Sequence, residues 1–356
     1  MKDWSTAVGM SLFLRAAAGQ PGARDQAREM PEKSAFRTLG LKRPRRAGWA
    51  ARGAALLVLL LLAACGGPGG SLGALQTCGI RSFAEVPITI NRATPLVQAQ
   101  INGTPVTLLL DTGAERVLLT QDAVQRLGLT VDPRRTFTES GAGGSFTSAA
   151  AQVRNFEFAG LSIPDHPVSA LPYPLPANAD ERVDGLLGVT VLGAFDIDMD
   201  MPGRRMTLYG GTVCGDTPIP PWRESYITVP SEVARGRMHV QVRVGGHTTM
   251  ALLDTGATGS VISTRAALAS GATPEQLAAS PTTIMRGVGP NAVTVRAHRF
   301  PDMQIGPERY GNARLLVTDQ GLGPVDMILG MDYLGGRRMW FSYARRQVFI
   351  MVPPRR

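Results

Sequence analysis

The sequence Leu-Leu-Leu-Asp-Thr-Gly-Ala occupies residues 108–114, and Ala-Leu-Leu-Asp-Thr-Gly-Ala occupies residues 251–257. In each copy a run of apolar residues, typical of a buried strand, leads directly into an aspartate. A carboxylate at such a position is costly to bury unless the protein uses its charge or its proton. Two of them in one chain, Asp111 and Asp254, predict a pair of carboxyl groups that shares one proton, which permits acid–base chemistry near neutral pH.

Both copies belong to a longer internal repeat. The dipeptide Val-Gln precedes each motif aspartate by 14 residues, at 97–98 and at 240–241. Downstream, Asp-Gly-Leu-Leu-Gly at 184–188 corresponds to Asp-Met-Ile-Leu-Gly at 326–330. The interval from the motif aspartate to the last glycine is 77 residues in the first copy and 76 in the second. Because the spacing is kept on both sides of the motif, the chain is a duplicated unit.

Short runs with strand-like alternation fill both repeats. Residues 97–101 and 239–244 alternate with period two, and each run is followed by a hairpin signal, Asn-Gly in the first repeat and Gly-Gly in the second. Helix signals are few: one covers residues 120–127, with Thr120 as N-cap, and its counterpart covers residues 263–269. This pattern predicts an all-β architecture.

The positive charge of the chain is concentrated at its beginning. The formal net charge is +9, but residues 1–64 hold 11 of the 37 basic and 4 of the 28 acidic residues. The remaining 26 basic and 24 acidic residues nearly balance. The rest of the chain therefore lacks the basic surface that nucleic-acid binding requires, and no nucleic acid is expected as a partner.

The basic residues at 42–46 precede an apolar run at 54–64 that is too short to span a bilayer and ends in small residues. This combination predicts a secretory signal. Its end, Leu-Ala-Ala-Cys at 62–65, resembles the bacterial lipoprotein box, which implies lipidation of Cys65. A plain signal peptide with a fortuitous cysteine is the alternative.

A lipidated Cys65 implies an exported protein in the bacterial cell envelope, anchored to a membrane by lipid and facing the periplasm. A glycine rather than an aspartate follows this cysteine, which favours the outer membrane over the inner one. Cys78 and Cys214 then remain as an even pair in an oxidising compartment. They flank the first repeat, so a disulfide would close that lobe; two free thiols are the alternative.

These features divide the chain into five predicted segments. They are an export segment at 1–64, a Gly-rich tether at 65–84, an N-terminal lobe at 85–212, a Pro-rich linker at 213–225 and a C-terminal lobe at 226–352.

Two neighbouring carboxyl groups suit peptide hydrolysis, because one can take a proton from water while the other donates one to the substrate carbonyl. The residues after each aspartate fit this chemistry. The glycines let the backbone turn close to the carboxylates, the threonine hydroxyls can bond across a two-fold interface, and the alanines keep the floor of the site small. These supporting residues are Thr112, Gly113, Ala114, Thr255, Gly256 and Ala257.

The two Asp-Thr-Gly-Ala motifs, each followed about 76 residues later by an apolar-apolar-Gly element, resemble the retropepsin-like aspartic proteases. The resemblance covers residues 85–352 and is closest to bacterial single-chain forms with two fused repeats. It implies a bilobal acid-protease fold of two pseudo-symmetric closed β-barrel lobes, with the active site between them. In this family the apolar-apolar-Gly element crosses behind the active loop and supports it.

The resemblance also implies an aspartic endopeptidase with Asp111 and Asp254 as its dyad, acting on a protein or peptide substrate without a cofactor or metal. Such a chain is expected to be a monomer with an intramolecular pseudo-dimer. A non-catalytic peptide-binding module that retains the fold is the alternative. The residues after each alanine differ, Glu-Arg at 115–116 and Thr-Gly at 258–259, so the outer subsites of the two lobes are expected to be unequal.

Two Gly-rich segments lie where flaps are expected, at 140–145 and 286–291. Gly-rich tips allow a hairpin to close over a substrate, although each segment could also be an ordinary turn. The flap candidates are Gly141, Gly143, Gly144, Gly287 and Gly289.

The alternating aspartates at 196–200 superficially resemble a calcium loop. The sixth position of that loop is Met201 instead of glycine and the twelfth is Thr207 instead of glutamate. We therefore expect a solvated strand face at these aspartates.

Overall fold

Strands make up most of the described chain, as the short alternating runs predict. The computed structural model describes residues 2–3 and 79–352, apart from 173–174, 176–180, 213 and 215–218. The strands up to the end of the first repeat are β1 Lys2–Asp3, β2 Gly79–Pro87, β3 Thr89–Asn91, β4 Thr94–Ile101, β5 Thr104–Leu110, β6 Leu118–Leu119, β7 Val131–Gly141, β8 Gly144–Ala151, β9 Asn155–Phe158, β10 Leu161–Pro164, β11 Val168–Ala170, β12 Gly185–Leu187, β13 Asp196–Asp200 and β14 Arg205–Thr212.

The second repeat carries the remaining strands. They are β15 Tyr226–Ala234, β16 Arg237–Val244, β17 His247–Leu253, β18 Val261–Ser263, β19 Thr282–Arg286, β20 Ala292–Ile305, β21 Glu308–Thr318, β22 Met327–Leu329, β23 Arg338–Ser342 and β24 Gln347–Met351. The helices are short: α1 Gln121–Arg126, α2 Val189–Leu192, α3 Thr264–Ala269, α4 Pro274–Ala279 and α5 Met331–Leu334.

Each repeat builds one lobe around its own sheet. The first lobe has the strand order β10-β9-β4-β5-β12-β6-β11-β8-β7, with β3 paired to β4. The second has the order β19-β20-β21-β18-β22-β17-β16, and β20 also pairs with β16, which closes a ring of strands. In the first lobe, the two shorter strands β8 and β9 take the place of the long strand β20 of the second lobe. Strands β10 and β11 likewise take the place of β21. The predicted all-β, bilobal fold is confirmed.

A shared sheet joins the lobes, with the order β15-β24-β23-β13-β14-β2. Each lobe contributes three strands, and the seam is the antiparallel pair β13–β23, from Ile197 opposite Phe341 to Asp200 opposite Arg338. The described residues belong to one compact unit. Strand β2 begins at Gly79, inside the segment predicted to be a tether, because it pairs along its whole length with β14.

Alternation of apolar and polar residues places the core. In β4 the side chains of Val97, Ala99 and Ile101 are buried while Gln98 and Gln100 are exposed. Strand β16 shows the same alternation in the second lobe. Burying each large aliphatic side chain stabilises the fold by about 1.5–3 kcal/mol, so a shift of one residue in register would expose a whole row of them.

The two predicted helix starts are confirmed. Thr120 caps α1 by accepting a hydrogen bond from Ala123 N at 3.1 Å, and Ser263 caps α3 by accepting one from Ala266 N at 3.1 Å. Helix α4, whose Thr273 forms a capping box, was not predicted. Among the described residues, no helix is long and apolar enough to cross a membrane.

The prediction of a solvated face at the aspartates of β13 is wrong. Asp196 and Asp198 are buried, because β23 from the other lobe lies beside them. Asp196 accepts a hydrogen bond from Ser342 Oγ at 2.7 Å. Asp198 accepts bonds from Arg338 Nη2 at 2.6 Å and from Trp222 Nε1 at 2.9 Å. These carboxylates therefore fasten the two lobes together.

Cys214 takes part in a disulfide. Its predicted partner Cys78 lies outside the described residues, so the pairing stays a prediction. Gly79, which follows Cys78, pairs with Thr212 of β14, two residues before Cys214. Cys65 and the export segment after Asp3 also lie outside the described residues.

Candidate active site

Each motif aspartate begins a loop at the end of a buried strand. Strand β12 lies parallel to β5, and Asp111 N donates a hydrogen bond to Leu187 O at 3.1 Å. In the second lobe β22 lies parallel to β17, and Asp254 N donates to Leu329 O at 3.0 Å. The apolar-apolar-Gly elements therefore cross directly behind the two aspartate loops, as predicted.

The glycines that end these elements allow the close crossing. A Cβ atom at Gly188 would lie 2.7 Å from Arg116 N, and one at Gly330 would lie 2.7 Å from Ala257 O. Just beyond them, Val189 N donates to Ala114 O at 2.9 Å. Any side chain at either glycine would push the aspartate loop away from its support.

The two loops interlock through their threonines. Thr112 Oγ1 donates to Leu253 O at 2.8 Å, and Thr255 Oγ1 donates to Leu110 O at 2.6 Å. Each hydroxyl also accepts a hydrogen bond from the backbone N–H of the other threonine, at 3.1 Å in both cases. Because both threonines are buried, these four bonds fix the distance between the lobes at the site. The predicted hydroxyl bonds across the interface are present.

The carboxyl groups of the two repeats meet at this interface. Asp111 Oδ1 accepts hydrogen bonds from Gly113 N and Ala114 N, both at 2.9 Å. Asp254 Oδ1 accepts the equivalent bonds from Gly256 N at 2.8 Å and from the next residue at 3.1 Å. The two carboxyl groups face each other across the interface, since each lies against the loop glycine of the other repeat. Two carboxyl groups so close to each other cannot both ionise readily, so they share one proton.

Each loop glycine lies against the carboxyl group of the other loop. A Cβ atom at Gly113 would lie 2.6 Å from Asp254 Oδ2, and one at Gly256 would lie 2.6 Å from Asp111 Cγ. These distances are shorter than any stable contact between such atoms. Glycine is therefore required at both positions for the carboxyl groups to approach each other.

Burial raises the pKa of both carboxyl groups, and the two aspartates respond differently to their neighbours. The negative charge of Asp254 raises the pKa of Asp111 further, well above its ordinary value. For Asp254, the hydrogen bonds from Gly256 N and Ala257 N and the charge of Arg237 oppose the effect of burial without cancelling it, so its pKa is still raised. The pair therefore shares one proton, and the charge of Arg237 favours the ionised form of Asp254.

The cation that favours the charged form of Asp254 is held by the first lobe. Arg237 Nη2 lies 3.4 Å from Glu115 Oε1, and Arg235 Nη1 lies 3.2 Å from the same oxygen. Glu115 is the residue after Ala114, so the ion pair ties the first aspartate loop to the start of β16. The sequence analysis named Glu115 but not Arg237. The residue equivalent to Arg237 in the first repeat is Thr94, so a comparison of the two repeats would have revealed the added charge.

Both predicted flap segments form hairpins. The first links β7 to β8 and the second links β19 to β20. Their tips touch: Gly143 N donates to Val288 O at 3.0 Å, and Asn291 N donates to Gly143 O at 3.1 Å. A Cβ atom at Gly143 would lie 2.7 Å from Asn291 O. The glycine is thus needed for the contact between the tips.

A buried glutamate on the first hairpin faces the first aspartate loop. Glu139 Oε1 lies 3.4 Å from Arg116 Nε, and the Arg116 guanidinium lies 4.7 Å from the centre of the Phe137 ring. Burial raises the pKa of Glu139, against the opposing effect of Arg116. In the second hairpin, the position equivalent to Glu139, counted from the Gly-x-Gly tip, is occupied by Met285. The two hairpins are therefore anchored differently.

Comparison with known proteins agrees with this internal symmetry. A family model described as aspartyl protease matches the chain twice, over residues 97–191 and 240–333, together more than half of its length. Among solved structures, the crystal structure of an aspartic proteinase from Irpex lacteus is similar with a TM-score of 0.43 and 15% sequence identity, covering 75% of this chain and 96% of that one. No curated protein sequence matches the chain.

Proposed function

The chain belongs to the aspartyl protease family, and on that premise we propose that it is an endopeptidase that hydrolyses peptide bonds with water activated by Asp111 and Asp254. The observation that carries the proposal is the meeting of these two carboxyl groups, one from each repeat, each against the loop glycine of the other. Two buried carboxyls that share a proton supply a base and an acid at the same pH.

The asymmetry of the pair assigns the two roles. Asp254, whose ionised form the charge of Arg237 favours, accepts a proton from water as the water oxygen bonds to the carbonyl carbon of the substrate. Asp111 gives its proton to the carbonyl oxygen, so the tetrahedral intermediate is a neutral diol. Asp254 then passes its proton to the amide nitrogen, the carbon–nitrogen bond breaks, and a diol hydroxyl returns a proton to Asp111. The cycle leaves both carboxyl groups as they began.

The flap contact supports the same function. The tips of the hairpins, joined at Gly143 and Val288, would cover an extended peptide lying over the carboxyl pair. Covering the site removes bulk water and strengthens the electrostatic interactions around the reacting atoms. Entry of a peptide requires the two tips to separate.

Single substitutions at the pair test the proposal. With casein or a peptide as substrate, Asp111→Asn and Asp254→Asn should each lower turnover by about 10²–10⁴-fold, because the two groups act as one unit. Asp122→Asn, at an exposed position of α1, is the matched control and should leave turnover unchanged.

Two results would overturn the proposal. If either active-site variant kept half of the wild-type activity, the two repeats would not form one site. If the wild-type protein bound peptides or a statine-type inhibitor without cleaving any peptide, it would be a binding module with this fold.

We also propose, from the sequence alone, that the protein is exported and anchored to the membrane facing the periplasm by a lipid on Cys65. In cell fractionation, Cys65→Ser should move the protein from the membrane fraction to the soluble exported fraction. An unmodified N-terminus well before residue 65, found by mass spectrometry of the membrane-associated protein, would refute the anchor. That result would not affect the peptidase proposal.

A further inference from the structure

The second lobe carries a group of exposed arginines on the outer side of strands β16, β20 and β21. Their chain neighbours Val244, Phe300 and Ala313 are buried in the core, so the arginine side chains point to the opposite side of the sheet. This surface, called here the arginine face, consists of Arg243, Arg299, Arg309 and Arg314.

Two of these arginines lie side by side. Arg299 is directly opposite Arg314 in the antiparallel pair β20–β21, which places their Cβ atoms about 5 Å apart. Like charges at such positions destabilise a sheet. Arg299 Nη1 donates a hydrogen bond to Asn312 O at 3.5 Å, which holds this guanidinium on the strand pair. A bound anion would therefore relieve a repulsion that the fold contains.

The acidic side chains of the same three strands do not neutralise these charges. The strands contain two acidic residues, Asp302 and Glu308. Asp302 accepts a hydrogen bond from Arg309 Nε at 3.1 Å, and Glu308 accepts one from the Tyr310 hydroxyl. Within the part of the chain that the structure describes, the other three arginines of the face form no ion pair.

The equivalent face of the first lobe lacks this positive charge. In the second lobe, Arg243 lies opposite Gln304, which lies opposite Arg309. The same registers in the first lobe pair Gln100, Glu157 and Ser162. One negative charge thus replaces two positive ones. Because the two lobes share this strand pairing, the fold itself does not require arginines here.

The arginine face begins beside the second aspartate loop. Leu316 follows Arg314 by two residues on the same side of β21, and its Cδ1 would lie 3.6 Å from a Cβ atom at Gly259. Leu316 N also donates to Ser260 O at 3.0 Å. Gly259 follows the aspartate loop, where an outer subsite is expected. A substrate chain that extends past Gly259 therefore has Arg314 about 7 Å further along the sheet.

We propose that the arginine face binds an acidic segment of the protein substrate, beyond the residues that flank the scissile bond; this rests on the proposed peptidase function. Guanidinium groups form paired, charge-assisted hydrogen bonds with carboxylates. A carboxylate between Arg299 and Arg314 removes their repulsion. The charge is local, since the chain after residue 64 holds 26 basic and 24 acidic residues, so a short acidic segment matches it better than a long polyanion.

Peptides that differ only in a tail test this proposal. All contain one cleaved sequence, taken from a cleavage site in casein, and carry at either end a tail of alternating Gly and Asp or of alternating Gly and Asn. For the full-length protein, the acidic tail should lower KM about tenfold at one end only, because two surface ion pairs each contribute a factor of about three. The value of kcat should stay unchanged, because this contact is equal in the ground state and the transition state. In about 1 M NaCl, where the Debye length is about 3 Å, the difference should disappear.

Variants locate the effect on the arginine face. The double variant Arg299→Gln/Arg314→Gln should give the two tails the same KM. Arg223→Gln, which removes the same charge from an exposed position before β15, should keep the tenfold difference. Charge reversal by Arg299→Glu/Arg314→Glu should favour a tail of Gly and Lys instead. Because Arg314→Gln removes a like-charge contact, its thermal unfolding midpoint should not fall below that of the wild type.

The outcomes separate this inference from the proposed function. Equal KM values for the two tails in the wild type, or an acidic preference that persists in the double glutamine variant, would overturn the inference and leave the peptidase proposal intact. The same holds if the tail has no effect and only the wild type binds vesicles of phosphatidylglycerol and phosphatidylethanolamine, because the face would then bind lipid phosphates. If the wild-type protein cleaves neither casein nor any peptide, both proposals fail.

Discussion

Replacing the interlocking Thr112 by valine should destabilise the whole protein. Thr112→Val keeps the shape of the side chain but removes the hydroxyl, which leaves Leu253 O without this donor and Thr255 N without its acceptor. Each buried polar group that loses its partner costs about 1–3 kcal/mol. The free energy of unfolding should therefore fall by about 2–6 kcal/mol, a large part of the roughly 5–15 kcal/mol typical of a folded domain.

Urea unfolding followed by tryptophan fluorescence measures this loss, provided that the denaturant slope is unchanged. Thr255→Val breaks the equivalent bonds and should cost about the same. Thr107→Val is the control, because the Thr107 hydroxyl bonds to Gln98 at an exposed site and its loss should cost less than about 0.5 kcal/mol. A loss below about 1 kcal/mol for Thr112→Val would show that the interlocking bonds do not hold the lobes together.

Three further predictions concern the carboxyl pair and the flaps. Gly113→Ala places a Cβ against Asp254, so peptide turnover should fall by about 10²-fold while the circular-dichroism spectrum stays unchanged. Arg237→Gln removes a charge that lowers the pKa of Asp254, so the acidic limb of the pH–kcat profile should move to higher pH. Arg235→Gln removes the other arginine that pairs with Glu115 and should leave that limb in place. Gly143→Ala should raise KM for peptides, because its methyl group would force the flap tips apart; an unchanged KM would show that the tips need not meet.

Much of the site could be predicted from the sequence because its parts are local. The residues from Asp111 to Ala114 adopt their loop through their own backbone and side-chain bonds, and the second copy repeats them. Because the motif occurs twice, its two copies are expected to come together in one site. The sequence therefore identified the pair, the supporting threonines and the crossing elements behind them.

The charged contacts could not be predicted in the same way, because they join residues that are distant in the chain. Arg338 and Trp222, which follow the first repeat in the chain, bury Asp198. No residue near Asp198 in the sequence predicts these contacts. Arg237 acts on Asp254 while held by Glu115 of the other lobe. An alternating row of aspartates looks the same whether water or a partner strand covers it, so its burial follows only from the shared sheet.

Because both copies of the repeat lie in one chain, some residues must be the same in the two copies and others can differ. The threonine and glycine of the motif are present in both copies because each one completes the other lobe's loop, so neither copy can change alone. A charge beside the pair has no such constraint. In a symmetric homodimer an arginine at this position would appear twice and favour the charged form of both aspartates equally. Here the position equivalent to Arg237 in the first repeat is Thr94, so the charge favours the ionised form of Asp254 alone.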